Sequence, residues 1–442
     1  MKHDTFEISH TSRLTPHILG LVRKISSRKF SSPIVVGCFL FFLLFIGFLF
    51  LGVAVAAGPA REAPAGFDNL TNGYVSQAVY DSARAIFEQP ETIATGLGPI
   101  YNGESCVECH RNPISGGNSL KSVLRAGHED PATGLFVPAP GGTLMHVHAI
   151  NPAIDLRTPD SENIRSTRKA TSILGDGFVE AIDDATLLAI ARNEPEISNG
   201  RIAGVAVMVP VAEAGNILRV GRFGWKSQHA SVVSFSADAY INEEGITNRY
   251  FPTENTALGK SVAEYDSVAD PEDERRSDGF SHVDRFVDFI RATKVPARDE
   301  KIAATPEARA GERLFEQIGC STCHVTSITT APAGTKINGG RFTVPEALGD
   351  KVIHPYSDFL LHTLGTGDGV PVQSGGQTTA NKMRTAPLWG LRTRPELMHD
   401  GTSPTPERAI LRHGGEAQSV IGEFHKLSPQ EKKELLTFLS SL

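Results

Sequence analysis

Apolar positions along the chain fall into distinct patterns. Pro33 to Ala57 is an uncharged run of 25 residues, long enough to cross the roughly 30 Å of bilayer hydrocarbon. Around 76–88, Val79, Ala83, Ile86 and Phe87 recur at helical spacing and predict a helix with one buried face. Another helical pattern, VDRFVDFIRA, closes a long middle region at 283–292. Thr305-Pro306-Glu307 sets a cap residue before a proline suited to the first helical turn. Ser428-Pro429-Gln430-Glu431 reads as a capping box, with Leu435, Leu436, Phe438 and Leu439 following on one face. From Gly96 the text is rich in turns, and no strand alternation stands out. The expected fold is mainly α.

The segments suggest an order. Residues 1–57 hold a cytoplasmic flank and a transmembrane or signal segment, and 58–70 read as a Gly/Ala/Pro linker. Residues 58–300 would form an N-terminal domain with a long middle insertion. Residues 301–442 would form a C-terminal domain, reached through the link Val295–Glu300.

Charge changes the picture at the N-terminus. Six basic and two acidic residues precede the apolar run, so the chain beyond Ala57 should face outward by the positive-inside rule. Ala54-Val55-Ala56 looks like a cleavage site, but the 32-residue flank and the length of the run favour an uncleaved anchor. Cys38 comes after Val35-Val36-Gly37 as in a lipidation box, yet precedes most of the run and reads as a buried apolar residue. Net charge is −7, with no basic face for nucleic acid. Past the run, 37 basic and 48 acidic residues make the exported part acidic, which would suit a basic redox partner.

Cysteines carry the chemistry. Cys106-Val107-Glu108-Cys109-His110 and Cys320-Ser321-Thr322-Cys323-His324 are both C-x-x-C-H, the attachment pattern of c-type haem. Two thiols form thioethers to the vinyl groups, and the adjacent imidazole becomes the proximal iron ligand. Structural zinc wants four ligands from compact paired motifs, and a redox dithiol does not need the histidine. Covalent haem at both sites is the expectation.

These segments, with RVGRFGWKSQHAS (219–231), HPYSDFLLHTLG (354–365), RTAPLWGL (384–391), MHDG (398–401) and AILRHGGEA (409–417), resemble the di-haem oxidoreductase family. That family is related to the bacterial di-haem cytochrome c peroxidases and to MauG. The resemblance runs through about residues 70–442 and implies two cytochrome c-like domains, each wrapping one haem.

The resemblance also implies roles. In the peroxidases the sixth ligand of the C-terminal haem, usually Met, lies a fixed interval beyond the histidine of His-Asp-Gly. Counting fourteen residues from His399 reaches His413, at the end of a short helix capped by Thr405. Bis-histidine ligation by His324 and His413 would lower the potential and close that iron. The rival reading is a surface histidine favoured by the helix dipole. His110 would then serve the reactive haem. His128 lies near where the peroxidases carry a displaceable distal His, with His146, His148 and His229 as rivals. The peroxidases' distal Gln and Glu motif is not intact, so Gln228 and His229 stand as distal candidates. Trp225 sits in the segment where a relay tryptophan is sought, and Trp225 and Trp389 read equally well as core aromatics. Thr393-Arg394-Pro395 resembles a calcium-binding stretch one residue out of register. Asp358 and His362 read as local structure or propionate contacts.

The function expected is a periplasmic di-haem oxidoreductase, anchored by its N-terminal helix or exported after cleavage. A small redox protein or quinol-linked cytochrome would feed the C-terminal haem, and the N-terminal haem would reduce a peroxide or other small oxidant. Its rivals are a non-enzymatic electron carrier and a MauG-like oxidant of a protein or organic substrate.

Overall fold

Two pairs of capped helices frame the molecule in the computed structural model, which describes residues 60–273 and 277–442. Ser76 caps the helix Gln77–Glu88, whose Tyr80, Ala83, Ile86 and Phe87 are buried at helical spacing. That face packs on the helix His282–Ala292, opened by a Ser281/Asp284 capping box. Phe289 meets Phe87 at 4.7 Å and Tyr80 at 5.3 Å between ring centroids. Each such buried aromatic contributes about 1.5–3 kcal/mol from area alone. Both helices match their sequence periodicity.

The C-terminal pair works the same way. Thr305 caps Pro306–Gln317, and a Ser428/Glu431 box opens Pro429–Ser441. The two helices pack so closely that a Cβ on Gly311 would lie 2.0 Å from the Glu434 carbonyl oxygen. Phe315 and Phe438 close the contact at 5.3 Å.

The mainly α expectation fails in between. Helix accounts for 33% of residues and strand for 16%, spread over several small sheets. The largest sheet is antiparallel: Ser122–Glu129 pairs with Phe136–Pro138, Leu144–Met145 and Ile164–Lys169. A hairpin, Met208–Val211 with Ile217–Val220, precedes the Trp225 loop. The reason is visible in Ile164–Lys169, where the inward positions are Ser166 and Arg168. Arg168 is neutralised by Asp368, so polar residues carry the alternation that apolar ones usually announce.

The predicted linker is also not free. Arg61–Glu62 adds in parallel to Lys351–Ile353, and Ala65 bridges Val295. The Asn72 side chain donates to the carbonyls of Arg291 and Thr293 at 2.8 and 2.9 Å. Residues Gly58–Leu442 cluster as one compact unit. Its main core joins Phe87, Phe178, Phe286 and Phe289 to Ile328, Ile337, Phe342 and Trp389. Among the described residues no helix is long and apolar enough to cross a membrane. The predicted span at 33–57 and Cys38 lie outside the described residues.

Candidate functional site

The helix Pro306–Gln317 delivers the chain to the second C-x-x-C-H, where Gly319 takes a left-handed turn at φ 95°. Cys320–Thr322 form one tight turn, with Cys323 and His324 directly after it. His324 Nδ1 lies 2.8 Å from the Tyr356 carbonyl oxygen, and His413 Nδ1 lies 2.8 Å from that of Ala409. A carbonyl only accepts, so each Nδ1 carries the proton and each Nε2 keeps a bare lone pair. Burial pushes His324 down to about 4 and lowers His413 as well. Both are neutral imidazoles, the form that binds metal. Their ring centroids stand 6.5 Å apart.

Between them opens a cavity of about 210 Å³, lined by Cys320, Cys323, His324 and His413 and mostly apolar. Trp225, Trp389 and His399 share its wall. Burial pushes Cys320 up to about 12 and Cys323 up to about 11, so both are thiols and not reactive thiolates. Cys323, Asp358 and His362 do come together. However, His362 spends Nε2 on Asp358 and Nδ1 on Glu416, each at 2.9 Å, leaving no nitrogen for a cation. Despite its burial, those carboxylates hold His362 well above its usual range as an imidazolium.

The first C-x-x-C-H has a different surround. His110 is in ring contact with Phe87 at 6.2 Å, and its buried Nδ1 has no hydrogen-bond partner. Burial pushes His110 down to about 4. Cys106 Sγ donates to Glu244 Oε1 at 3.1 Å. Glu244 belongs to a π-helical turn, Tyr240–Glu244, a local widening often found at functional sites. Burial pushes Glu244 up to about 8 and raises Glu243. Glu243 accepts from Asn102 Nδ2 at 3.0 Å, and the Arg125 and Asp238 charges act on it. Arg125 Nε is buried without a partner.

Residues 155–442, which include the second C-x-x-C-H but not the first, match the family described as "Di-haem oxidoreductase, putative peroxidase". The chain belongs to this family. No curated protein matches. Hydrazine synthase of Kuenenia stuttgartiensis, solved under xenon pressure, is similar at 14% identity over 87% of this chain and 90% of that one, with TM-score 0.39. A MauG-like protein associated with microbial copper homeostasis is 17% identical over 89% of this chain and 95% of that one, with TM-score 0.38.

The residues of this di-haem oxidoreductase fit the group its family takes. Two imidazoles on opposite faces of one metal, each bonded at about 2 Å, would place their ring centroids roughly 6 Å apart. His324 and His413 meet that spacing, with each Nδ1 already tied to backbone.

The other predicted residues disperse. Trp225 lines the cavity, donates from Nε1 to the Lys169 carbonyl at 2.7 Å and meets His399 edge-on at 6.1 Å. Trp389 both lines the cavity and packs in the main core. Gln228 Oε1 accepts from the Lys226 backbone N–H at 3.2 Å, a contact within its own loop. His229 Nε2 pairs with Asp238 at 3.1 Å, and His146 Nε2 lies 3.0 Å from the Asn242 carbonyl oxygen. Those two histidines thus border the stretch 238–244. His128 pairs with Glu162 at 2.9 Å on the four-stranded sheet, and His148 meets Tyr101 at 5.2 Å with the rings tilted by 32°. The Thr393 carbonyl accepts from Asn112 Nδ2 at 2.7 Å, so an amide holds an oxygen proposed for calcium. Asp358 and His362 form an ion pair, and His362 also lines the cavity. Sequence reading missed Glu243, Glu244, Asp238 and Arg125. The paired glutamates before Gly245 were the one available signal.

Proposed function

We propose that the protein carries two covalent c-type haems, on Cys106/Cys109/His110 and Cys320/Cys323/His324. Electrons pass from the C-terminal to the N-terminal haem, where a peroxide or other small oxidant is reduced. The observation that carries this reading is an asymmetry. His324 faces a second imidazole at 6.5 Å, whereas the ring contact of His110 among the described residues is Phe87. A doubly ligated iron suits electron transfer, and a singly ligated one suits chemistry.

Bound in these sites, haem supplies the redox steps. The chain supplies the rest. Tyr356 and Ala409 carbonyls orient His324 and His413. Trp225 is fixed by Lys169 in the wall of the C-terminal cavity, where an indole can relay charge. Reducing one peroxide to two waters takes two electrons and two protons. Burial pushes Glu244, beside Cys106, up to about 8, so it can hold a proton at neutral pH, and burial also raises its neighbour Glu243.

The apolar run after a basic flank supports an anchored or exported protein on the periplasmic side. The acidic exported part supports a basic redox-protein donor.

Low-temperature EPR of the oxidised, fully matured protein tests the reading. A high-spin signal beside a low-spin one, with peroxide-dependent oxidation of reduced cytochrome c, is expected. Two low-spin signals unchanged by half-reduction would leave an electron carrier instead.

A further inference from the structure

Six arginines are buried among the described residues: Arg168, Arg219, Arg222, Arg285, Arg291 and Arg384. Five are paired. Arg168 meets Asp368, Arg219 and Arg222 share Asp184, Arg285 meets Asp278 and Asp288, and Arg291 meets Glu180. Arg384, 6% exposed, forms no ion pair. Its Nε donates to the Gly224 carbonyl at 2.6 Å, and Asp176 and Asp358 act on it only from beyond ion-pair reach. Arg394 repeats the pattern. Its Nη2 donates to the Trp389 carbonyl at 2.9 Å, and its buried Nε has no hydrogen-bond partner. The two guanidiniums also repel each other, and burial pushes both down to about 10. Unpaired charge in a low-dielectric cavity is costly unless an anion arrives with the ligand. Both arginines line the cavity that holds His324 and His413.

We infer that Arg384 and Arg394 receive the two propionates of the C-terminal haem. The inference rests on the haem reading proposed for this site and names its anion-binding edge. A planar guanidinium fork matches a carboxylate bidentately, which suits this task better than an ammonium would. Two cations beside the porphyrin edge favour the reduced iron, because reduction removes a positive charge next to them. Arg384 has a second attachment. Its backbone N–H donates to the Trp225 carbonyl at 2.8 Å, so the propionate grip and the Trp225 loop form one hydrogen-bonded unit.

The test is a spectroelectrochemical titration of the matured two-haem protein and of Arg384→Gln, Arg394→Gln and the matching Lys variants. Both haems are followed separately. Each Gln variant should lower the reduced-to-oxidised ratio of the low-spin haem about tenfold at a fixed potential, equivalent to about 59 mV for one electron. Lys should restore most of it, which a merely structural role would not predict. If a Gln variant fails to mature, its Lys counterpart must still titrate closer to wild type than to free bis-histidine haem. An unmoved low-spin potential with both haems attached, or a shift confined to the His110 haem, overturns the assignment alone. A wild-type chain whose mass shows no haem addition overturns the haem reading and this assignment together.

Discussion

The imidazoles of His324 and His413 stand 6.5 Å apart and tilted by 54°, each with Nδ1 committed to a backbone carbonyl. Neither ring needs to lose a proton from Nδ1 for its Nε2 to bind a metal. His413→Met should therefore raise the potential of that haem on the order of 100 mV, since thioether replaces imidazole. His413→Ala should convert its EPR signal from low to high spin. A low-spin signal surviving in the Ala variant would show that another residue closes that iron.

Trp225→Phe removes the Nε1 donor to Lys169 while keeping a ring in the wall. Interhaem transfer, followed by stopped-flow re-oxidation of the low-spin haem with peroxide, should slow about tenfold, or about 1.4 kcal/mol of barrier. Absorption spectra of both haems should not change. An unchanged rate would return Trp225 to the role of a packing aromatic.

Glu243→Gln keeps the Asn102 contact but cannot donate a proton. Peroxide turnover should fall by about 10²–10⁴ if it is the general acid, with both haems attached and their potentials in place. Full activity in this variant would move the proton role to Glu244 or elsewhere.

Glu180 and Arg291 form a bidentate pair at 2.6 and 3.0 Å with side-chain exposures of 0% and 8%. Glu180→Ala strands a buried guanidinium and removes the acceptor of the Val232 backbone N–H, at a cost of about 3–5 kcal/mol. Urea unfolding of the holoprotein should show it. A loss below about 1 kcal/mol would mean that water reaches Arg291.

Burial, with Asp266 and Asp270 nearby, pushes Glu254 up to about 8. A carboxyl raised in the folded state binds its proton more tightly there than when unfolded. Its effect on stability therefore worsens as pH rises from about 4.5 through 8. Glu254→Gln should melt higher than wild type at about pH 8.5, by on the order of 1–2 °C, and equal to it near about pH 4.5. Equal melting at both pH values would show Glu254 to be solvated.

What could be read from the chain depended on how local each signal was. C-x-x-C-H is complete within five residues, and the helices at 77–88, 306–317 and 429–441 carry their own caps. His413 was reachable only through the interval from His399, and it does face His324. The four-stranded sheet was hidden because Ile164–Lys169 buries Ser166 and Arg168 where valines would have shown a strand. The polar group at the first site was hidden by distance. Glu244 reaches Cys106 across 138 residues, and no local pattern links them.

The main core crosses residue 300. Phe87 and Phe289 share it with Ile328, Phe342 and Trp389, while Arg61 registers against Lys351. The two C-x-x-C-H stretches are therefore not interchangeable cassettes. A chimera that replaces residues 301–442 alone would exchange more than a quarter of that core against an unmatched remainder. Recombination between relatives should then succeed only where strand 61–62, helix 77–88 and segment 328–353 travel together.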